Sequence, residues 1–359
     1  APIVYNIMII GGAVLLGPTL GVTGLAIGVV VGAAGHLAVQ LPSILRLGFR
    51  PILRIDLDDS AARRVLALLG PRALGLGATQ ITFIVMTALA SSLGEGAVST
   101  YAIAFALLQI PLGVIGIPLG IVIFPSISRE HALGAVETYV SLVTRAVRLL
   151  VFVMVPIVAL GIALRVPMVE LLFGYGRFDR VAIEGTAAVL AAFLFGLPAH
   201  ASIAVLARAF YARQDTRTPV IAAIVAVVIN TTLGVIFVGP FGLPGLAAAI
   251  AIGAWVEALY LLVALGRHVP TFAPSTVVRV LAESVIGALA AGALTVGVST
   301  VLGELVAPGS TKLAILVGLS VASFAGGAIY VAVAFILRIP ELPTIVGLVA
   351  DQYRRRRRS

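Results

Sequence analysis

The polar groups that could do chemistry in this chain are mostly set singly into long apolar stretches. They are Arg72, Gln80, Gln109, His200, Asn230, Glu257 and Glu283. An ionisable or amide side chain at membrane depth is costly to leave facing lipid, so each is a candidate functional group. A guanidinium there can hold an anion, and a carboxylate can take up a proton or a cation. Each also has a plainer reading. Gln80, Gln109 and Asn230 also suit hydrogen bonds between neighbouring helices. His200 also suits a satisfied interior position. Arg72 and Glu283 lie near the ends of their stretches, from which they can reach water. Glu257 lies mid-stretch beside Trp255, where it pairs with an arginine, stays protonated or faces a wet cavity.

Other chemistries are excluded. The chain has no cysteine, which rules out disulfides, zinc–thiolate sites and cysteine nucleophiles. His36, His131, His200 and His268 are scattered, so no metal site is expected, and no cofactor. No HExxH, GxSxG or P-loop pattern occurs, so the chain is expected not to be an enzyme. Asp56, Asp58 and Asp59 read as an acidic loop cluster, with Ser60 as a helix cap.

The elements that must position these groups are helices in a bilayer. Residues are 60% hydrophobic and 11% charged, and the mean hydropathy is +1.16. About ten apolar stretches, each near the roughly 20 residues that cross a membrane, follow one another. The predicted spans are 3–17, 22–45, 66–93, 99–124, 141–164, 184–210, 219–238, 243–266, 277–302 and 313–337. The fold class is therefore an all-α polytopic membrane protein. Frequent Gly and Ala suit close helix packing. Pro71, Pro111, Pro118, Pro156 and Pro198 lie in or beside spans. With Gly113, Gly116 and Gly120, they mark the fourth and sixth spans as bending helices, as an alternating-access carrier needs.

Arginine placement sets the orientation. Arg46, Arg50, Arg54, Arg63 and Arg64 follow the second span, Arg129, Arg145 and Arg148 the fourth, Arg208, Arg213 and Arg217 the sixth, and Arg267 and Arg279 the eighth. Arg338 and the run Arg354 to Arg358 follow the tenth. The alternate loops are poor in arginine except at 165–183, where RVPMVELLFGYGRFDR reads as an interfacial helix near 165–178. The positive-inside rule then puts both chain ends in the cytoplasm. Of the net charge of +9, five charges lie in the terminal arginine run, which suits anionic membrane lipid rather than nucleic acid. The start, Ala1-Pro2-Ile3-Val4-Tyr5, has no basic region and no signal-peptide form, and reads as a chain joined partway.

Several stretches together resemble the bacterial MurJ/MviN family of lipid II flippases, within the superfamily that includes MATE exporters and polysaccharide flippases. They are LPSILRLGFRP (41–51), LLGPRALGLGATQITFIVMTALASSL (68–93), LLQIPLGVIGIPLGIVIFPSISR (107–129) and AFYARQDTRTP (209–219). AFYARQDTRTP is the most specific, and is followed by Asn230 and FGLPGLAAA; FGYGRFD at 173–179 also matches. The resemblance implies helices 5–14 of a two-lobed, 14-helix flippase. Residues 1–50 would end an N-terminal lobe, 51–65 would be a cytoplasmic linker, and 66–270 would form the C-terminal lobe. Residues 271–338 would add two helices whose groove takes a lipid tail, and 339–359 would be a basic cytoplasmic tail. Four earlier helices would be missing.

The resemblance further implies transport of an undecaprenyl-pyrophosphate-linked cell-wall precursor across the bacterial cytoplasmic membrane by alternating access. Other cell-wall synthesis proteins are possible partners. Arg72 would contact the pyrophosphate, with Gln80 and Gln109 as neutral donors and His200 nearby. Arg208, Arg213 and Arg217, with Asp215, would form a cytoplasmic gate or head-group contact, or else an ordinary positive-inside signal. Asn230 and Glu257 would be the ion-coupling candidates. The chain departs from the family pattern at four places. Phe105-Ala106 stand where many relatives have Asp-Arg, Met86 where many have a carboxylate, Gly234 near a usual polar residue and Ala204 where a lysine is common. Some of those groups are associated with a cation site. Two other readings stand beside this one: an ion-coupled, MATE-like exporter of small cationic compounds, using Glu257 and Glu283, and a non-transporting scaffold for envelope synthesis.

Overall fold

A computed structural model describes residues 2–48, 77, 80–176, 178–305, 311–344 and 347. Arg72, the linker 51–65 with its acidic cluster, Arg177 and the terminal arginine run lie outside the described residues. So do the side chains of Glu304 and Leu305. The chain divides into two compact units, Ala1–Leu69 and Gly70–Ser359. The described residues form helices and turns, with no strand among them.

The first unit is a helical hairpin of α1 (Pro2–Leu20) and α2 (Val22–Arg46). Pro18 cannot donate to the carbonyl four residues back, and the turn just before it, Gly12–Leu16, widens to π-helix. Gly21 makes the reversal at φ 56°, ψ −132°, which a side chain would oppose. The helices then close on glycine backbones. Gly24, Gly28 and Gly32 recur every fourth residue and are buried. A Cβ on Gly24 would come within 2.6 Å of the Leu16 backbone, and one on Gly28 within 2.9 Å of the Met8 carbonyl oxygen. This is small-residue packing of the kind that lets membrane helices approach closely.

The second unit opens, within the described residues, with the apolar helix α3 (Gln80–Ser91). It continues through α4 (Ala97–Ala132), α5 (Val136–Ala163), a short α6 (Arg165–Phe173), α7 (Arg180–Phe195) and α8 (Leu197–Ala212). Then come α9 (Arg217–His268), α10 (Pro274–Leu305) and α11 (Lys312–Ile336). Helix α4 repeats the device of α1, with a π-helical turn at Leu112–Gly116 just before Pro118. Helices α7 and α8 are two halves of one broken path, bent by 41° at Gly196.

Among the described residues seven helices are long and apolar enough to cross a membrane, or eight with the α7–α8 pair. Helix α9, at 52 residues, would be about 78 Å long if straight, against a hydrocarbon core of about 30 Å. It is interrupted at Gly242, with φ 57° and ψ −140°, so it forms two limbs, 217–241 and 243–268. Gly21 and Gly242 thus share one backbone conformation, set in the related sequences LGVTGLA (20–26) and FGLPGLA (241–247).

Helix α5 organises the second unit through long-range hydrogen bonds to main-chain carbonyls. The Tyr139 hydroxyl donates to Ala209 O in α8 at 2.9 Å, and Tyr330 in α11 donates to Phe152 O at 2.7 Å. Both tyrosines are buried, where an unmade hydrogen bond would be costly. Beyond α11, Arg338 adopts φ 54° and turns the chain back. Ile339 and Glu341 are thereby buried, and Glu341 Oε1 stands 2.6 Å from Arg148 Nε of α5.

Candidate functional site

The stretch 209–219 that dominates the family resemblance is a helix corner. Helix α8 ends in a Schellman turn, with Asp215 N–H donating to Phe210 O and Gln214 N–H to Tyr211 O, at 3.0 and 2.9 Å. Gln214 takes the left-handed position usually held by glycine, at φ 61°. Asp215 then starts α9. Its Oδ1 accepts from the Arg217 and Thr218 N–H groups at 3.0 Å, and its Oδ2 accepts from the Thr218 hydroxyl at 2.6 Å. Burial pushes the Asp215 carboxyl up, but the bonds from Thr218 and Arg217 more than offset this and hold it below the usual range. Asp215 is thus engaged in holding the corner. Arg217 is exposed, and Arg213 is half-buried.

One turn before the corner, Arg208 folds back along α8. Its Nη1 donates to the Ala204 carbonyl. The guanidinium lies over Gly120 of α4, where a Cβ would come within 2.7 Å of Nη1. The absent side chain at Gly120 and the carbonyl of Ala204 make the slot that Arg208 occupies. Among the described residues neither Arg208 nor Glu257 has an ion-pair partner within salt-bridge distance.

The remaining candidates are placed separately. Gln80 and Gln109 are exposed, and no hydrogen bond among the described residues joins them to Arg208. His200 lies in the first turn of α8 with its Nε2 buried and without a hydrogen-bond partner. Glu283 pairs with Arg279, one turn earlier on α10, at 2.7 Å. Asn230 is buried in the first limb of α9, and its Oδ1 has no hydrogen-bond partner. It occupies the space in front of Gly253, where a Cβ would lie 1.6 Å from that oxygen. Among the described residues no cluster of His, Asp or Glu could hold a metal ion.

Between α5, α8, the second limb of α9 and α10 runs an apolar groove of about 420 Å³. Val147 and Val151 of α5, Phe195 of α7, Leu206 of α8, Trp255 of α9 and Val278 of α10 line it. Trp255 donates its Nε1–H to the Phe195 carbonyl at the α7–α8 bend, 2.9 Å away. That bond fixes the indole as a wall of the groove.

Broken spans, glycine-seated helix contacts and long apolar helices define a polytopic helical membrane protein. A family model described as lipid II flippase MurJ matches residues 1–337, and the chain belongs to that family. It is 35% identical over 331 residues to a probable lipid II flippase MurJ of Rhizobium meliloti, covering 90% of this chain and 59% of the relative. It is 32% identical over 274 residues to the lipid II flippase MurJ of Burkholderia cenocepacia, covering 75% of this chain and 53% of the relative. The chain thus spans between half and three fifths of the length of these relatives. A solved structure described as lipid II flippase MurJ in an inward closed conformation superposes with a TM-score of 0.75 at 22% identity. It covers 94% of this chain and 66% of that one. The Vibrio cholerae MATE transporter VcmN in its bent form gives 0.52 at 19% identity, over 80% and 70% of the two chains. These structural likenesses concern the fold.

Proposed function

We propose that this chain moves an undecaprenyl-pyrophosphate-linked peptidoglycan precursor, lipid II, across the bacterial cytoplasmic membrane by alternating access. The observation that carries this reading is the family match over residues 1–337. The geometry supports it in three ways. Arg208, seated on Ala204 and Gly120, keeps N–H donors for a phosphate oxygen, as charge-assisted recognition requires. The apolar groove at α10 gives a polyprenyl chain a dry path. The breaks at Gly196 and Gly242 and the π-helical turn before Pro118 let helices bend without tearing their hydrogen-bond ladders. In this reading Arg72 joins Arg208 as a pyrophosphate contact, Gln80, Gln109 and His200 are neutral partners, and Arg213 and Arg217 meet the head group. Asp215 acts by holding their corner, and Asn230 and Glu257 carry the coupling ion or proton.

The proposal includes the placement. Residues 1–50 end one lobe, 51–65 link it in the cytoplasm to a second lobe at 66–270, and 271–338 add the tail-binding helices. Both chain ends face the cytoplasm, where the arginine-rich loops and the tail at 339–359 meet anionic lipid. The test is rescue of a bacterium depleted of its own lipid II flippase. It uses this chain alone and the chain extended to the length of its relatives. Rescue by either, lost with Arg208→Ala, supports precursor flipping. Membrane expression of both without rescue overturns it. Export of small cations that dies with Glu257→Gln would instead favour the ion-coupled exporter.

A further inference from the structure

A second cationic site lies apart from Arg208, between α5 and the start of α10. On α5, Ser141, Thr144, Arg145 and Arg148 fall three or four residues apart and share one face. Across from them stand Thr271, in the connection after α9, and Thr276, in the first turn of α10. Together they line a cavity of about 220 Å³. Six polar side chains, two of them guanidinia, thus line one small space, the Thr276 hydroxyl donating to the Ala273 carbonyl at 2.8 Å. None of them belongs to the Arg208 corner or the apolar groove.

The cavity is built as well as charged. The buried Glu341 stands with its Oε1 2.6 Å from Arg148 Nε, an ion pair that anchors Arg148 in the cavity wall. Among the described residues Arg145 has no ion-pair partner, so the local balance of Arg145, Arg148 and Glu341 is positive. Helix α10, 32 residues long, begins at Pro274 and directs its positive end to the same place. Hydroxyls, forked guanidinia and a helix start are the donors that bind phosphate oxygens. The surrounding loops are those that the arginine pattern assigns to one side of the membrane, at head-group level.

We propose that this cavity binds the phosphate of an anionic phospholipid from the leaflet that the arginine-rich loops face, independently of what the protein transports. The lipid would clamp α5 to the α9–α10 connection, with Arg145 and Arg148 on its phosphate and Ser141, Thr144, Thr271 and Thr276 around it. A soluble phosphate offers the same chemistry, and the experiment separates the two.

The full chain is reconstituted into phosphatidylcholine vesicles with and without phosphatidylglycerol, and separately exposed to inorganic phosphate. Lipid retained after purification and the shift in unfolding temperature are both measured. Arg145→Gln is compared with the native chain and with Arg279→Gln, an exposed arginine outside the cavity. Arg148→Lys serves as a second variant, because it keeps a cation beside Glu341. The expected result is stabilisation by phosphatidylglycerol but not by phosphate, with affinity about tenfold weaker in Arg145→Gln and Arg148→Lys and unchanged in Arg279→Gln. Stabilisation by inorganic phosphate alone, lost in the same variants, would overturn the lipid as occupant. Equal binding by all variants, or an equal loss in Arg279→Gln, would overturn the site.

Discussion

The Met86 thioether lies against the backbone of Gly234: a Cβ on Gly234 would stand 2.9 Å from Met86 Cε and 3.1 Å from Sδ. Met86 is fully buried, and its flexible end fills the room that a side chain on α9 would need. The family resemblance implies polar groups at Met86 and near Gly234, some of them associated with a cation site. Sodium is therefore expected not to raise the unfolding temperature of this chain. A sodium-dependent rise would show that a cation still binds there. Met86→Ala should cost about 2–3 kcal/mol through the cavity it opens, and Gly234→Ala, neutral or mildly unfavourable alone, should recover part of that loss. Thermal unfolding of the four-member cycle reads the coupling directly.

Gly120 and Arg208 should behave as one unit. A Cβ on Gly120 meets not only the guanidinium but also the Ala204 carbonyl oxygen at 3.0 Å, so the side chain has no easy retreat. Gly120→Ala and Arg208→Ala should each lower precursor binding by roughly tenfold, and the double variant should be little worse than either. Fully additive losses would mean that Arg208 does not act from this slot.

Asp215 gives a pH signature. Asp215→Ala should lower stability by about 1 kcal/mol, as lost helix caps do. A carboxyl held low in the folded state contributes fully above its unfolded value, about 3.9, and loses that contribution as pH falls through the folded value. The difference in unfolding temperature between the native chain and Asp215→Ala should therefore be constant near neutrality and shrink below about pH 4. A difference that grows on acidification would contradict the cap.

Gln214 should be improvable. At φ 61° a residue with a Cβ carries strain of about 1 kcal/mol that glycine avoids. Gln214→Gly is expected to raise the unfolding temperature while leaving the Asp215 and Thr218 bonds in place. A fall would mean that the Gln214 side chain makes an interaction outweighing its strain.

Much of this architecture is legible in the amino-acid order. Runs of apolar residues near bilayer length mark the helices, because lipid leaves a spanning backbone no other way to satisfy its hydrogen bonds. Gly242 and the paired FGLPGLA and LGVTGLA motifs could have shown the repeated reversal, since a positive φ followed by tight packing calls for glycine at fixed spacing. The function of AFYARQDTRTP was less legible. Its charges suggest a gate, yet Asp215 is bound to backbone, and only coordinates separate a cap from a contact. The pairing of Arg148 with Glu341 had no local signal at all. It joins residues far apart in sequence, and hydropathy is blind to which arginine faces inward.

The glycine seam between α1 and α2 bears on how the protein is made. Its contacts are backbone on backbone, so the bulky side chains point outward; Ile3, Val22 and Leu37 are 74%, 84% and 62% exposed. The reversal at Gly17-Pro18-Thr19-Leu20-Gly21 carries no charge to drag across the bilayer. A pair with no polar debt at its tip and an oily exterior can leave the translocation channel sideways as a finished ribbon, before the ribosome has supplied the rest of the chain. A single methyl group at Gly24 or Gly28 would then be felt first as slower membrane integration.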